Sequence, residues 1–194
     1  MTLDFVPATR AVADLLPRIT DLAAPTPCEH YTVADLLDHL DGLAFAFTLA
    51  ARKEPGPVTD QPPAPNGANL SDDWRTRLPE RLEELARAWR EPAAWEGTTK
   101  AGGIELSGEQ AGLVALTEVV VHGWDLARAT GQSYDPDPRA LTPVHEHTNA
   151  IAAAGPVEGL FGPAVEVPAD APLLDRVIGL TGRDPKWRPR TSTP

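Results

Sequence analysis

The amino-acid sequence predicts an all-α protein built as a helix bundle. Apolar residues recur at spacings of three and four through four long segments, which is the pattern of amphipathic helices. A proline-rich stretch over residues 54–69 separates the second segment from the third, as a long crossover loop in a four-helix bundle would. We therefore predict one helical domain over residues 1–187, followed by a disordered tail over 188–194.

Two helices precede the long loop. The first is predicted from Asp4 to Leu22, although Pro17 can kink that helix or end it early. The second is predicted to start after Thr32, which forms an imperfect capping box with Asp35, and to run to about residue 52. The loop that follows is either a lid over a site or a plain connector.

The next segments are a helix and a short irregular region. Apolar spacing predicts a third helix over residues 71–90, and Pro79 allows the alternative that this helix begins near the proline. Glycines between short β-prone pieces in residues 94–106 predict a small hairpin or an irregular insertion.

The fourth helix is the most apolar. Ser107 and Gln110 match a capping box at its start, and Gly131 is a stop signal at its end. Two shorter helices are predicted after it, over residues 138–153 and 171–181.

Composition limits the possible partners. A net charge of -11 argues against nucleic acid and anionic membranes. No apolar run approaches the roughly 18 residues of a membrane span, and the N-terminus lacks a signal-peptide pattern. Cys28 is the only cysteine, so no internal disulfide can form and a cytoplasmic location is expected. Cys28 lies in a proline-rich turn and is expected to serve packing rather than redox chemistry. The protein is expected to be a monomer or a homodimer.

Glu118 and His122 stand out in the fourth helix because their surroundings are apolar. The two residues are four apart and so share one helix face. A buried carboxylate needs a partner, which can be a metal ion or simply a hydrogen-bonded histidine. Several residues within roughly 60° of Glu118 on the helical wheel are small or polar, which leaves room for an ion: Ala111, Ala115, Asp125 and Ala129.

His39 has similar surroundings in the second helix, with Gly42 and Ala46 on its C-terminal side. Sequence distance alone does not join His39 to the pair in the fourth helix. If it does join them, two imidazoles and one carboxylate make three ligands, which is the pattern of a catalytic zinc site with an open fourth position.

Three stretches of the chain resemble a known family. Residues 26–40, TPCEHYTVADLLDHL, resemble the N-terminal signature of the DinB-like superfamily, and more closely the actinobacterial branch with mycothiol-dependent maleylpyruvate isomerase. Residues 118–126, EVVVHGWDL, resemble the second metal motif of that branch, and residues 165–185 resemble a subgroup of it. Tyr31 stands where the family usually has tryptophan.

This resemblance implies a DinB-like four-helix bundle in which His39, Glu118 and His122 hold a divalent metal, usually zinc. It also implies mycothiol as a cosubstrate, whose thiol the metal would deprotonate for attack on a small electrophilic substrate. The expected activity is that of a thiol transferase or isomerase, with the electrophile left open. Asp125 could orient a ligand or be a surface carboxylate, and Arg128 is a weak candidate for binding the cofactor.

Two other classes of protein function remain as alternatives. One is a metal-binding bundle without catalysis, in which the ion is structural or sensed, and the other is a helical interaction protein without metal. In the tail, Arg183 could bind an anionic substrate, although solvent exposure is the default expectation for such a charge.

Overall fold

The computed structural model describes residues 2–157 and 160–189, and it confirms the all-α fold with one small hairpin. The described residues form six α-helices and one pair of antiparallel strands, with short 3-10 turns in some of the connections. The helices are α1 (Val6–Ala13), α2 (Val33–Arg52), α3 (Trp74–Ala88), α4 (Gly108–Ala129), α5 (Pro138–Ala154) and α6 (Leu173–Leu180), and the strands are β1 (Thr98–Ala101) and β2 (Ile104–Ser107). Residues 190–194 of the predicted disordered tail lie outside the described residues.

The two helices that carry the candidate ligands are capped as the sequence predicts. At the start of α2, the Thr32 hydroxyl accepts from the Asp35 amide at 3.3 Å, and Asp35 accepts in return from the Thr32 amide at 2.8 Å. Ser107 and Gln110 make the same reciprocal pair before α4. Each pair satisfies two backbone donors that the first helical turn leaves unpaired.

Helix α1 is shorter than the predicted helix over residues 4–22. Its α-helical part ends at Ala13, and a 3-10 turn over Leu16–Arg18 follows. The alternative of an early end is therefore confirmed. Pro17 has no amide hydrogen to donate to the Ala13 carbonyl, and its ring would collide with that carbonyl in a continuous helix.

Helix α3 begins at Trp74, so the alternative start near Pro79 is wrong. Pro79 costs this helix one hydrogen bond, to the carbonyl of Arg75. Burial of an apolar stripe on both sides of the proline outweighs that loss, since each fully buried leucine contributes roughly 1.5–3 kcal/mol. The stripe comprises Trp74, Leu78, Leu82 and Leu85.

The loop over residues 54–69 is fastened to its neighbours. The amides of Asn66 and Gly67 donate to Asp38 and Asp35 of α2 at 2.9 and 2.7 Å. At the other end, Asp60 pairs with Lys100 of the hairpin at 2.8 Å. Such contacts favour the plain connector over the lid.

The predicted hairpin is confirmed and is braced against α2. Gly102 and Gly103 turn the chain between β1 and β2 with φ values of 59° and 79°, which a two-residue type I′ turn requires. The Thr99 hydroxyl donates to the carbonyl of Ala50 at 2.7 Å. The chain thus enters α4 from a fixed point.

We expect Gly108→Ala and Gly42→Ala to change stability in opposite directions. A Cβ at Gly108 would lie 2.5 Å from the backbone of Ala94 and Trp95, whereas a Cβ at the exposed Gly42 of α2 meets nothing within 4 Å. Gly108→Ala should lower the free energy of unfolding by about 1–3 kcal/mol. Gly42→Ala should raise it by about 1 kcal/mol, because alanine is the better helix former. Urea denaturation measures the free energy of unfolding of both variants. A Gly108→Ala variant more stable than Gly42→Ala would contradict the close contact between Gly108 and the backbone of Ala94 and Trp95.

Candidate metal centre

Helices α2 and α4 pack against each other and bring His39, Glu118 and His122 together. Oε2 of Glu118 lies 3.4 Å from Nε2 of His39 and 3.2 Å from Nε2 of His122. The two imidazole rings are perpendicular, with centroids 4.7 Å apart. These three side chains are referred to below as the His–Glu–His cluster, and all three are buried, with 7–9% of each residue exposed.

The spacing of the His–Glu–His cluster suits a tetrahedral zinc ion. Zinc ligands lie about 2.0–2.1 Å from the ion, so two of them at a tetrahedral angle are about 3.3 Å apart. The two nitrogen–oxygen distances in the cluster match that separation. Two imidazoles and one carboxylate are also donors that zinc accepts, so the residues fit the ion that the resemblance implies.

Asp125 fixes the far side of the His122 ring. Its Oδ2 lies 2.9 Å from Nδ1 of His122, and its carboxylate accepts two hydrogen bonds from Arg183 at 2.8 and 3.0 Å. Burial favours a neutral Asp125, but the charge of Arg183 and the hydrogen bond with His122 outweigh it and lower the Asp125 pKa. An ionised carboxylate can only accept, so Nδ1 of His122 is the donor, and in the neutral imidazole Nε2 keeps a lone pair facing Glu118.

Proton affinities in the His–Glu–His cluster follow from its contacts. Burial acts to raise the pKa of Glu118, but hydrogen bonds from His122 and His39 and the positive charge of His122 outweigh burial and lower it. For His122, burial is outweighed by hydrogen bonds to Asp125 and Glu118, which raise its pKa to about 9. Burial lowers the pKa of His39, leaving it neutral at neutral pH. His122 therefore carries the proton that a metal ion must displace.

His39 is held less firmly than His122. Its Nδ1 is buried and has no hydrogen-bond partner among the described residues. The edge of the Tyr31 ring packs against the imidazole, with centroids 5.8 Å apart. Among the described residues, no carboxylate therefore holds the Nδ1 side of the His39 ring, whereas Asp125 holds that side of His122.

Cys28 lies beside the site, which its sequence context did not indicate. Its Sγ is within 4.8 Å of ligand atoms of His122 and Asp125. Burial, and next the charge of Asp125, raise the pKa of the thiol to about 12. A thiol that stays protonated at neutral pH fits the expected packing role better than a nucleophile does.

The structure corrects two expectations about charges. Asp125 is fully buried, so the alternative of a surface carboxylate is wrong. Arg183 is only 9% exposed and paired with Asp125, so the expectation of a solvated charge is wrong. The signal that could have found the pair is an aspartate in an otherwise apolar helix, which must have a cation near it.

Arg128, the weak cofactor-binding candidate, is engaged elsewhere. Its Nη2 donates to the carbonyl of Pro185 at 3.1 Å, and its guanidinium lies 5.3 Å from the ring centroid of Trp124. Among the described residues it has no contact with the His–Glu–His cluster. Its observed role is to tie α4 to the C-terminal segment.

Fold and site together define a helical-bundle protein with a buried two-histidine, one-carboxylate cluster between two helices. The family model described as the mycothiol maleylpyruvate isomerase N-terminal domain matches residues 5–127, well over half of the chain. The chain belongs to this family.

Similar proteins support the assignment. Uncharacterized proteins from two strains of Mycobacterium tuberculosis are each 30% identical over 171 residues, which is 86% of this chain and 87% of theirs. The crystal structure of a mycothiol-dependent maleylpyruvate isomerase superposes with a TM-score of 0.61 at 20% identity, covering 86% of this chain and 75% of the isomerase chain. A mutant of that isomerase gives the same values. At such identity the solved structures establish the fold alone.

No helix among the described residues is long and apolar enough to span a membrane.

We expect Asp125→Asn to weaken metal binding without abolishing it. The amide keeps the size of the side chain but removes the charge that fixes His122 with Nδ1 protonated. Loss of such a partner typically costs 10–100-fold in metal affinity. Competition with a colorimetric zinc chelator measures the affinity, and an unchanged value would contradict the role assigned to Asp125.

Metal binding should also depend on pH in a defined window. Because the pKa of His122 is raised to about 9, a metal ion must displace its proton at any lower pH. Apparent affinity should therefore rise roughly tenfold per pH unit from pH 7 to about 9 and then level off. Calorimetry in buffers of different ionisation enthalpy should find about one proton released at pH 7. A flat affinity across this window would contradict the proton assignment.

Proposed function

We propose that this protein is a metal-dependent, thiol-activating enzyme, a thiol transferase or isomerase that acts on a small electrophile. His39, Glu118 and His122 hold the divalent ion, for which zinc is the expected identity. The observation that carries the proposal is the convergence of three ligand atoms, with one carboxylate oxygen of Glu118 at 3.2 and 3.4 Å from the Nε2 atoms of His122 and His39. Three protein ligands leave a fourth position for a thiol.

The charges around the ion favour an anionic ligand. Arg183 neutralises Asp125, and among the described residues Glu118 is the carboxylate that lies within 3.4 Å of both histidines. A divalent ion held by these three residues would supply a net positive centre that lowers the pKa of a bound thiol, so that the thiolate predominates. Asp125 keeps the His122 ring fixed throughout, since its hydrogen bond to Nδ1 does not involve the open side of the cluster.

Family membership supports mycothiol as the thiol. The family description names mycothiol, and so does the name of the solved isomerase with the same fold. The electrophile does not follow from that name, because the isomerase shares only 20% of its residues with this chain. Maleylpyruvate is the first substrate to test, within a panel of small electrophiles.

Elemental analysis and a mycothiol-consumption assay test the proposal together. The wild-type protein purified without added metal should contain about one divalent ion per chain. It should also consume mycothiol with at least one electrophile of the panel. His122→Ala should lose both properties, because only two ligands remain.

His145→Ala is the matched control, since His145 lies on α5 outside the His–Glu–His cluster. This variant should keep both metal and activity. Stoichiometric metal in His122→Ala would overturn the assigned site. Metal without any thiol-dependent turnover in the wild type would overturn the enzymatic role and favour a structural or sensing one.

A further inference from the structure

A groove of about 410 Å³ lies between α1 and α3, and none of its lining residues belongs to the His–Glu–His cluster. The lining residues recur at spacings of three and four along both helices, so each helix turns one face towards the groove. Small-molecule sites in proteins typically enclose about 300–1,000 Å³. The groove is therefore large enough to hold a ligand of its own.

Short apolar side chains keep the groove open. Val6 and Ala13 line it from α1, and Pro79 and Ala86 line it from α3. Both alanines end at Cβ, so neither reaches across the space between the helices. The hydroxyl of Thr9, which also lines the groove, donates to the carbonyl of Val6 at 3.2 Å. The walls therefore suit the apolar body of a ligand.

The exposed rim of the groove is positively charged, although the chain has a net charge of -11. Three arginines line the groove against a single glutamate: Arg10, Arg87, Arg90 and Glu83. Nη2 of Arg87 lies 3.4 Å from Oε1 of Glu83, so these two charges are paired. Arg10 and Arg90 are exposed, and within the part of the chain that the structure describes neither side chain has a hydrogen-bond or ion-pair partner. Two unpaired guanidinium groups therefore stand beside apolar walls.

We propose that the groove between α1 and α3 binds a small amphiphilic carboxylate. Arg10 and Arg90 hold the carboxylate, and the hydrocarbon body lies along Val6, Ala13 and Ala86. This second ligand site goes beyond the proposed function, because it uses neither the metal ligands nor a thiol. A planar guanidinium matches a carboxylate with two parallel hydrogen bonds, and such charged bonds are roughly twice as strong as neutral ones.

The lining favours this class of anion over two others. An inorganic anion would contact the arginines but would leave the apolar walls in water, so it gains nothing from them. A nucleotide base needs an aromatic or planar surface on which to stack, and the described lining residues include no aromatic side chain. A monocarboxylate with a hydrocarbon body uses both the charged rim and the apolar walls.

Isothermal titration calorimetry with octanoate tests the proposal on the full chain. About one octanoate should bind per chain, and its Kd should rise with added salt because the arginines are exposed. In the double variant Arg10→Gln/Arg90→Gln the Kd should rise about tenfold or more, since the charge-assisted hydrogen bonds are lost. Octanol keeps the hydrocarbon without the charge, so it should bind the wild type and the double variant with the same Kd.

Ala13→Leu tests the apolar wall separately. The larger side chain occupies part of the groove, and leucine is a good helix former, so α1 should be retained. The Kd values of octanoate and octanol should rise together, by about threefold or more, because less of the hydrocarbon is buried. A Kd that is unchanged for both ligands would contradict the placement of the hydrocarbon along α1.

Arg52→Gln is the matched control, because Arg52 is also an exposed arginine but lies in the last turn of α2 and does not line the groove. It should leave the Kd of octanoate within about twofold of the wild-type value. An unchanged Kd in the double variant, or no binding to the wild type, would overturn the proposal. So would a wild-type dimer that the double variant loses in sedimentation velocity, because a second copy of the chain would then occupy the groove.

Discussion

The buried pair between Arg183 and Asp125 is the interaction on which the rest of the site depends. Asp125 is fully buried in α4, and its charge is stable there because a guanidinium meets both carboxylate oxygens and His122 adds a further hydrogen bond. Arg183 comes from the segment after α6, so packing of the C-terminal part of the chain supplies the charge that compensates Asp125. Breaking a buried pair by removing one partner typically costs about 3–5 kcal/mol, because an uncompensated charge remains. Packing of the C-terminal segment and the orientation of His122 are therefore energetically coupled through Asp125.

The Arg183–Asp125 pair also belongs to a balanced set of charges that includes the candidate metal ligands Glu118 and His122. Glu118 and Asp125 contribute two negative charges, while Arg183 and protonated His122 contribute two positive ones. The arrangement is therefore electrically neutral with a proton on His122. In the proposed function, a divalent ion would replace that proton and add one net positive charge at the same place. On that proposal, the site would be neutral before the metal binds and cationic afterwards, so it would attract a thiolate only once the metal is bound.

Local signals in the sequence predict much of this structure, and long-range contacts account for what they miss. Capping boxes at Thr32 and Ser107 mark the two ligand-bearing helices, because each box involves residues only three apart. Pro17 and Pro79 show the limit of such rules, since tertiary burial decides which proline a helix tolerates. Glu118 and His122 share a face by spacing alone. No spacing links Asp125 to a residue 58 positions away, or places Cys28 beside it.

X-ray absorption at the zinc edge tests most directly the claim that three protein ligands leave a position for a thiol. The resting protein should show only nitrogen and oxygen neighbours at about 2.0–2.2 Å. Addition of mycothiol should introduce one sulfur neighbour at about 2.3 Å. A spectrum that gains no sulfur would contradict the account, and so would sulfur in the resting protein, which would identify Cys28 as a fourth ligand that closes the site.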